Sequence, residues 1–221
     1  PTNLGTLGML LNLQAADRDW DGSDQTLSRI RAAGANRFVS DLAEGNLHQA
    51  RLQWDKAIAA FERAAAQNPD APEPTFALVR IDARQGKLAQ AQHRLMGLIA
   101  KNPRHQFAHG LLGEILILKG DPAGAEAEFR LATGLKPEWS TPWVNWVTLK
   151  LSQRQGEHAN EILQRGLQVN PKNTELRLLY ASHLGDRGQF DQAIAEYETI
   201  LNLNPRDLMA ANNLAAILTD Q

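Results

Sequence analysis

The chain has no cysteine among its 221 residues. That excludes disulfides and thiolate-bound metal, and it fits cytoplasm and periplasm equally. It has no excess of one charge: 23 Lys and Arg stand against 25 Asp and Glu, for a net charge of −2. Binding to a polyanion needs a concentrated basic face, so no nucleic-acid partner is expected. No apolar run approaches the roughly 20 residues that cross a bilayer, and the most apolar stretch, Leu111 to Leu118, is short and contains Glu114. No membrane insertion is expected. The opening Pro1-Thr2-Asn3 lacks both an initiator methionine and the positive flank of a signal peptide, which reads as a processed product or an excised piece. There is no phosphate-cradling glycine loop, no Gly-x-Ser-x-Gly elbow and no His-Glu-x-x-His. Neither enzymatic activity nor a cofactor is therefore expected.

What is present is a repeat. Pro69, Pro103, Pro137, Pro171 and Pro205 lie at a constant spacing of 34 residues. Ala57, Ala91, Ala125, Ala159 and Ala193 each precede their proline by 12 positions. Four residues after each alanine comes a large side chain: Phe61, Leu95, Phe129, Leu163 and Tyr197. Gly86, Gly120 and Gly188 recur 17 positions before three of the prolines. Such a unit has room for two helices of about 14 residues and tight turns. Glycine ends the first helix because it accepts positive φ. Proline stops the second, having no N–H to donate. Alanine lets two backbones approach, and the large residue one turn on fills the layer between units. Pro72, Pro122 and Pro142 fall in expected first turns, with Asp121 as an N-cap.

Trp20 and Trp54 share the register, so a degenerate first unit is expected over 4–37, with Ser23, Leu27 and Ile30 in the packing places. The units are then 4–37, 38–71, 72–105, 106–139, 140–173 and 174–207. Residues 208–221 form the first helix of a further unit or a cap, and all of 1–221 is read as a single array. In the unit 140–173, Arg154 stands where the turn glycine belongs, which leaves that turn's geometry open.

The period and the run Leu179-Tyr180-Ala181, Gly188, Phe190, Ala193, Tyr197 and Pro205 resemble the tetratricopeptide repeat. Trp143 occupies that family's tryptophan place, and Gly45 and Gly113 its small-residue place. The ending Asn212-Asn213-Leu214-Ala215-Ala216-Ile217-Leu218 is also similar to bacterial repeat proteins of envelope-export and exopolysaccharide systems. The resemblance implies an all-α, right-handed α-solenoid of stacked antiparallel helix pairs. Its first helices would line a groove for a peptide or helix of a partner protein. By that analogy the groove residues are Asn46, Phe76, Arg80, Phe107, Glu114, Asn145, Thr148 and Ser182, with Leu42 and Leu178 beside them. Phe76 and Phe107 are anchors for the partner or packing residues, and both readings stand. The family's clamp for C-terminal carboxylates is absent in this register. Its asparagine ladder is reduced to Asn145 and Asn213.

Other constellations yield structural readings. Asp17-Arg18-Asp19-Trp20-Asp21-Gly22 opens like a calcium loop but has Ser28 where the bidentate glutamate belongs, and it also reads as a helix–turn–helix junction. His105 and His109 have metal-ligand spacing but no third ligand and read as surface residues. Glu126 and Glu128 read as solvated residues on a helix flank. Trp143 and Trp146 read as core, with Trp139 partly exposed at a turn. The leading function is an interaction scaffold. The alternative is the substrate-recruiting portion of a larger enzyme, such as a glycosyltransferase, whose catalytic domain lies outside this chain. Self-association through the array ends is a further expectation, because Leu214, Ile217 and Leu218 lack a following helix.

Overall fold

A computed structural model describes residues 3–220. Pro1 and Thr2, on which part of the reading of the N-terminus rests, and Gln221 lie outside the described residues. Among the described residues there are helices and turns and no strand. The chain falls into two compact units, one ending at Lys101 and one beginning at Asn102.

The first unit holds α1 (Leu4–Ala16), α2 (Trp20–Ala32), α3 (Arg37–Ala50), α4 (Trp54–Gln67), α5 (Pro72–Arg84) and α6 (Leu88–Lys101). The second holds α7 (Gln106–Leu118), α8 (Pro122–Leu135), α9 (Ser140–Ser152), α10 (Gly156–Val169), α11 (Thr174–Asp186), α12 (Phe190–Leu203) and α13 (Leu208–Asp220). Within each unit a helix packs on its successor, and first helices also touch the first helix of the next pair, as in α1 with α3 and α7 with α9. Connections this short force antiparallel neighbours.

The repeat positions carry the packing. Ala57, Ala91, Ala125, Ala159 and Ala193 are fully buried, and Phe61, Leu95, Phe129, Leu163 and Tyr197 are buried one turn later. The degenerate pair obeys the same rule through Ser23, Leu27 and Ile30. Phe129 lies so close to Gly113 that a Cβ there would stand 2.5 Å from the ring, so the small-residue place exists to admit the ring. Pro72 and Pro122 sit in first turns, and Asp121 caps α8 by accepting from Gly124 N–H at 2.9 Å.

The turn inside each pair has one geometry, with or without glycine. Arg18, Leu52, Gly86, Gly120, Arg154 and Gly188 all have positive φ, between 58° and 77°. In each, the next residue's N–H closes a Schellman bond back to the helix end, such as Lys87 to Asp82 O at 2.8 Å and Gln155 to Lys150 O at 2.9 Å. The turn at Arg154 therefore keeps the common shape, and its non-glycine residue carries a steric cost of about 1 kcal/mol. Asp17 and Asp19 belong to such a junction: Asp19 caps α2 by accepting from Gly22 N–H at 2.9 Å.

Candidate functional site

Two of the residues read from the sequence as surface groups are engaged for one reason: a neighbouring helix supplies a partner for the side chain. His109 is buried, with Nδ1 at 2.6 Å from Glu128 and Nε2 at 3.0 Å from the Pro103 carbonyl. It braces the loop before α7 and is not a surface residue. His105 is the N-cap of α7. Glu126 accepts from Lys150 Nζ at 2.6 Å and from Trp146 Nε1 at 3.3 Å. Burial opposes its ionisation, but the hydrogen bond and charge of Lys150 prevail, helped by Trp146 and Arg130. The carboxyl is left below its ordinary range. Lys150 also donates to Gln155 Oε1 at 3.0 Å. Trp143 and Trp146 are buried and stacked, with ring centroids 6.2 Å apart, and Trp143 donates to the Pro137 carbonyl at 2.9 Å. Trp139 is half-buried, edge-on to Phe107 at 4.9 Å.

At the other end of the second unit, Leu214 and Ile217 pack on the cluster around Leu184, Tyr197 and Ile200. That pair is therefore partly covered from within, while Leu218 stays exposed.

A hollow of about 600 Å³ opens on the face shared by α7 and α9. Glu114, Ile117 and Leu118 come from α7, and Thr141, Asn145, Thr148, Leu149 and Ser152 from α9, with the edge of Phe129 below. Helical spacing explains the set: 114, 117 and 118, and 141, 145, 148, 149 and 152, are single stripes on two neighbouring first helices. Across the hollow Asn145 Nδ2 donates to Glu114 Oε1 at 2.9 Å. Burial pushes the Glu114 carboxyl above its ordinary range, against the Asn145 bond, which works to lower it. Glu114 is the sole charged side chain in this lining.

Three of the residues singled out from sequence, Glu114, Asn145 and Thr148, thus share one hollow. The others stand apart from it. Phe107 lies at the start of α7 between Trp139 and the Lys136 ammonium, which sits 4.7 Å from its ring centroid. Ser182 is exposed on α11. In the first unit Asn46 and Arg80 are exposed on α3 and α5, and Phe76 is half-buried on α5. The hollow's apolar wall, Ile117, Leu118 and Leu149, is missing from the groove residues read in the sequence. The turn-to-turn spacing from Glu114 and Asn145 is the signal that could have found it.

Models of the tetratricopeptide repeat match residues 41–107 and 150–218, and a second such model matches 108–138. Over 77 residues the chain is 38% identical to the human protein O-mannosyl-transferase TMTC1. That match takes in 34% of this chain and 8% of the transferase, so the chain spans a small fraction of that relative's length. The structure of yeast Tom70 superposes with a TM-score of 0.77 at 18% identity, over 89% of this chain and 43% of that one. YrrB, described as a TPR protein with an unusual peptide-binding site, superposes at 0.55 with 20% identity, over 74% of this chain and 84% of that one. These matches give no support to the narrower likeness of residues 212–218 to bacterial envelope-export proteins.

Proposed function

Because the chain belongs to the tetratricopeptide-repeat family, whose fold is typical of protein–protein interaction, we propose that it is a scaffold that holds an extended peptide or helix of a partner protein along its first-helix face. The observation that carries this reading is the hollow between α7 and α9. It is concave, apolar on its walls and supplied with a few polar groups, which is the make-up of a recognition site. YrrB, with its stated peptide-binding site, makes the same use of this fold reasonable here. Phe107 and Ser182 belong to the proposal as further contact places on the second unit, and Asn46, Phe76 and Arg80 as contact places on the first. The test is a selection of random peptides displayed on phage, followed by binding to Thr148→Trp, which fills the hollow, and to Gln168→Trp on α10. Selected peptides should lose at least tenfold in affinity with the first variant and be unaffected by the second. Equal binding to both variants overturns the proposal.

A second reading has one observation in its favour. The 38% identity to an O-mannosyl-transferase fits the repeat portion of a larger glycosyltransferase, in which these helices recruit the acceptor protein. The full-length gene decides between them: a transferase domain in the same reading frame favours the second.

A further inference from the structure

We propose that the hollow between α7 and α9 is a receptor for a basic side chain of the partner, with Glu114 as the counter-charge. The inference rests on the groove reading above and narrows it to a chemistry. Ile117, Leu118, Leu149 and the Phe129 ring make the walls apolar. The polar groups left over offer more acceptor sites than donors, since the Thr141 and Thr148 hydroxyls can each donate one hydrogen and accept two. Glu114 has two acceptor oxygens, and among the described residues the donor reaching it, Asn145, engages Oε1. The Asn145 amide is turned to Glu114 by its nitrogen, which leaves a carbonyl oxygen as an acceptor. The Ser152 hydroxyl gives its hydrogen to the Leu149 carbonyl at 2.7 Å, so it too offers lone pairs.

Apolar walls, one carboxylate and surplus acceptors complement an aliphatic stem tipped with N–H donors, which describes arginine and lysine. A ligand with its own carboxylate meets repulsion from Glu114. A wholly apolar ligand seals that carboxylate away from water with only one amide for a partner. Arginine is favoured over lysine, because its flat fork serves two acceptors at once and its stem lies against an apolar wall.

The surroundings of Glu114 set it apart from its neighbours. Glu126, Glu128 and Glu196 of the same unit meet Lys150, His109 and Arg177. Among the described residues Glu114 meets a neutral amide and no cation, and burial pushes its carboxyl upward, with the Asn145 bond working the other way. Its ionised form is less favoured there than in water, and an incoming cation offsets that.

Two small probes test the inference by NMR on the intact chain: acetyl-Leu-Arg-amide and acetyl-Leu-citrulline-amide, close in shape and different in charge. The arginine probe should shift the methyl signals of Ile117, Leu118 and Leu149 and the side-chain amide of Asn145, and bind about tenfold more tightly than the citrulline probe, the scale of one charge-assisted hydrogen bond. In Glu114→Gln, which keeps an acceptor for Asn145, both probes should bind with equal affinity. The thermal transition of that variant, expected at or above the parent's, shows that it is folded. Equal binding of the two probes to the parent, at these same signals, overturns the cation inference and leaves the groove reading standing. If neither probe moves these signals, the cation inference falls, and the groove reading is judged by the Thr148→Trp comparison.

Discussion

Glu114 and Glu126 lie on the two helices of one pair, α7 and α8, and each reaches for α9, yet they stand in opposite conditions. Glu126 is matched by the Lys150 ammonium and the Trp146 N–H, and burial, though the largest influence on it, is outweighed. Glu114 is answered, among the described residues, by the Asn145 amide alone, and burial wins. One carboxylate is a joint that holds α8 to α9. The other is an acceptor maintained without a cation, at the edge of a hollow. The contrast teaches that a fold able to neutralise inward carboxylates has left this one unneutralised at the place where a ligand would enter.

The largest expected effect tests the joint. Glu126→Ala leaves the Lys150 ammonium, whose side chain is 9% exposed, with Gln155 as its remaining acceptor. The expected loss is about 2 kcal/mol in urea unfolding, below the usual figure for a broken buried pair because Glu126 is partly solvated. A change of only a few tenths would mean that the pair is ornamental and the contrast empty. Glu114→Gln should act in the other direction, raising stability by at most about 1 kcal/mol, because the carboxyl is only partly buried and solvent screens part of its cost. If both substitutions destabilise, Glu114 is a structural residue.

Acid should separate the two more sharply. Glu126 has its folded pKa below the unfolded value of about 4.3. The stability it contributes is present above that unfolded value and is lost as pH falls through the lower, folded one. Glu114 has its folded pKa above the unfolded value. Its ionised form therefore costs nothing below about pH 4, and the cost grows as pH rises through the folded pKa, then stays constant. The Tm advantage of Glu114→Gln over the parent should accordingly vanish below about pH 4, while the deficit of Glu126→Ala should be greatest at neutral pH. No other charged side chain lines the hollow to confuse the first comparison. A Glu114→Gln advantage that is flat with pH would sink the assignment.

How much of this can be read in the chain depends on how far apart the interacting groups lie. The proline, alanine and aromatic periods are local, and the helix boundaries follow them to within a few residues. The left-handed turns at Arg18, Leu52 and Arg154 are marked only by the repeat register, because the glycine that usually signals them is missing, whereas the Schellman bonds impose the same φ on whatever residue stands there. His109 and Glu128, which read as surface residues, meet across 19 positions of sequence, and Asn145 and Glu114 across 31. Glu114 and Asn145 both occupy groove places in the repeat register, but nothing in a one-dimensional pattern says that they bond to each other or that Lys150 turns away to Glu126. Those facts depend on which stripe of α9 faces α7 and which faces α8, and packing decides that.

The smallest expected effect serves as the control for the contrast. Leu52 is 60% exposed with φ at 59° in the turn between α3 and α4. Leu52→Gly removes the strain of a side chain in the left-handed region, a gain of about 1 kcal/mol. Part of this is offset because glycine loses more freedom on folding, so a net rise of roughly 0.5 kcal/mol is expected. Both Leu52→Gly and Glu114→Gln should therefore raise the Tm. Only the second should erase the preference for acetyl-Leu-Arg-amide over its citrulline counterpart. If Leu52→Gly also weakens that preference, then greater stability by itself blunts recognition, and Glu114 loses its claim to be the reader of charge. If the preference is untouched, the stabilisation seen in Glu114→Gln is the cost of a carboxylate kept for a ligand.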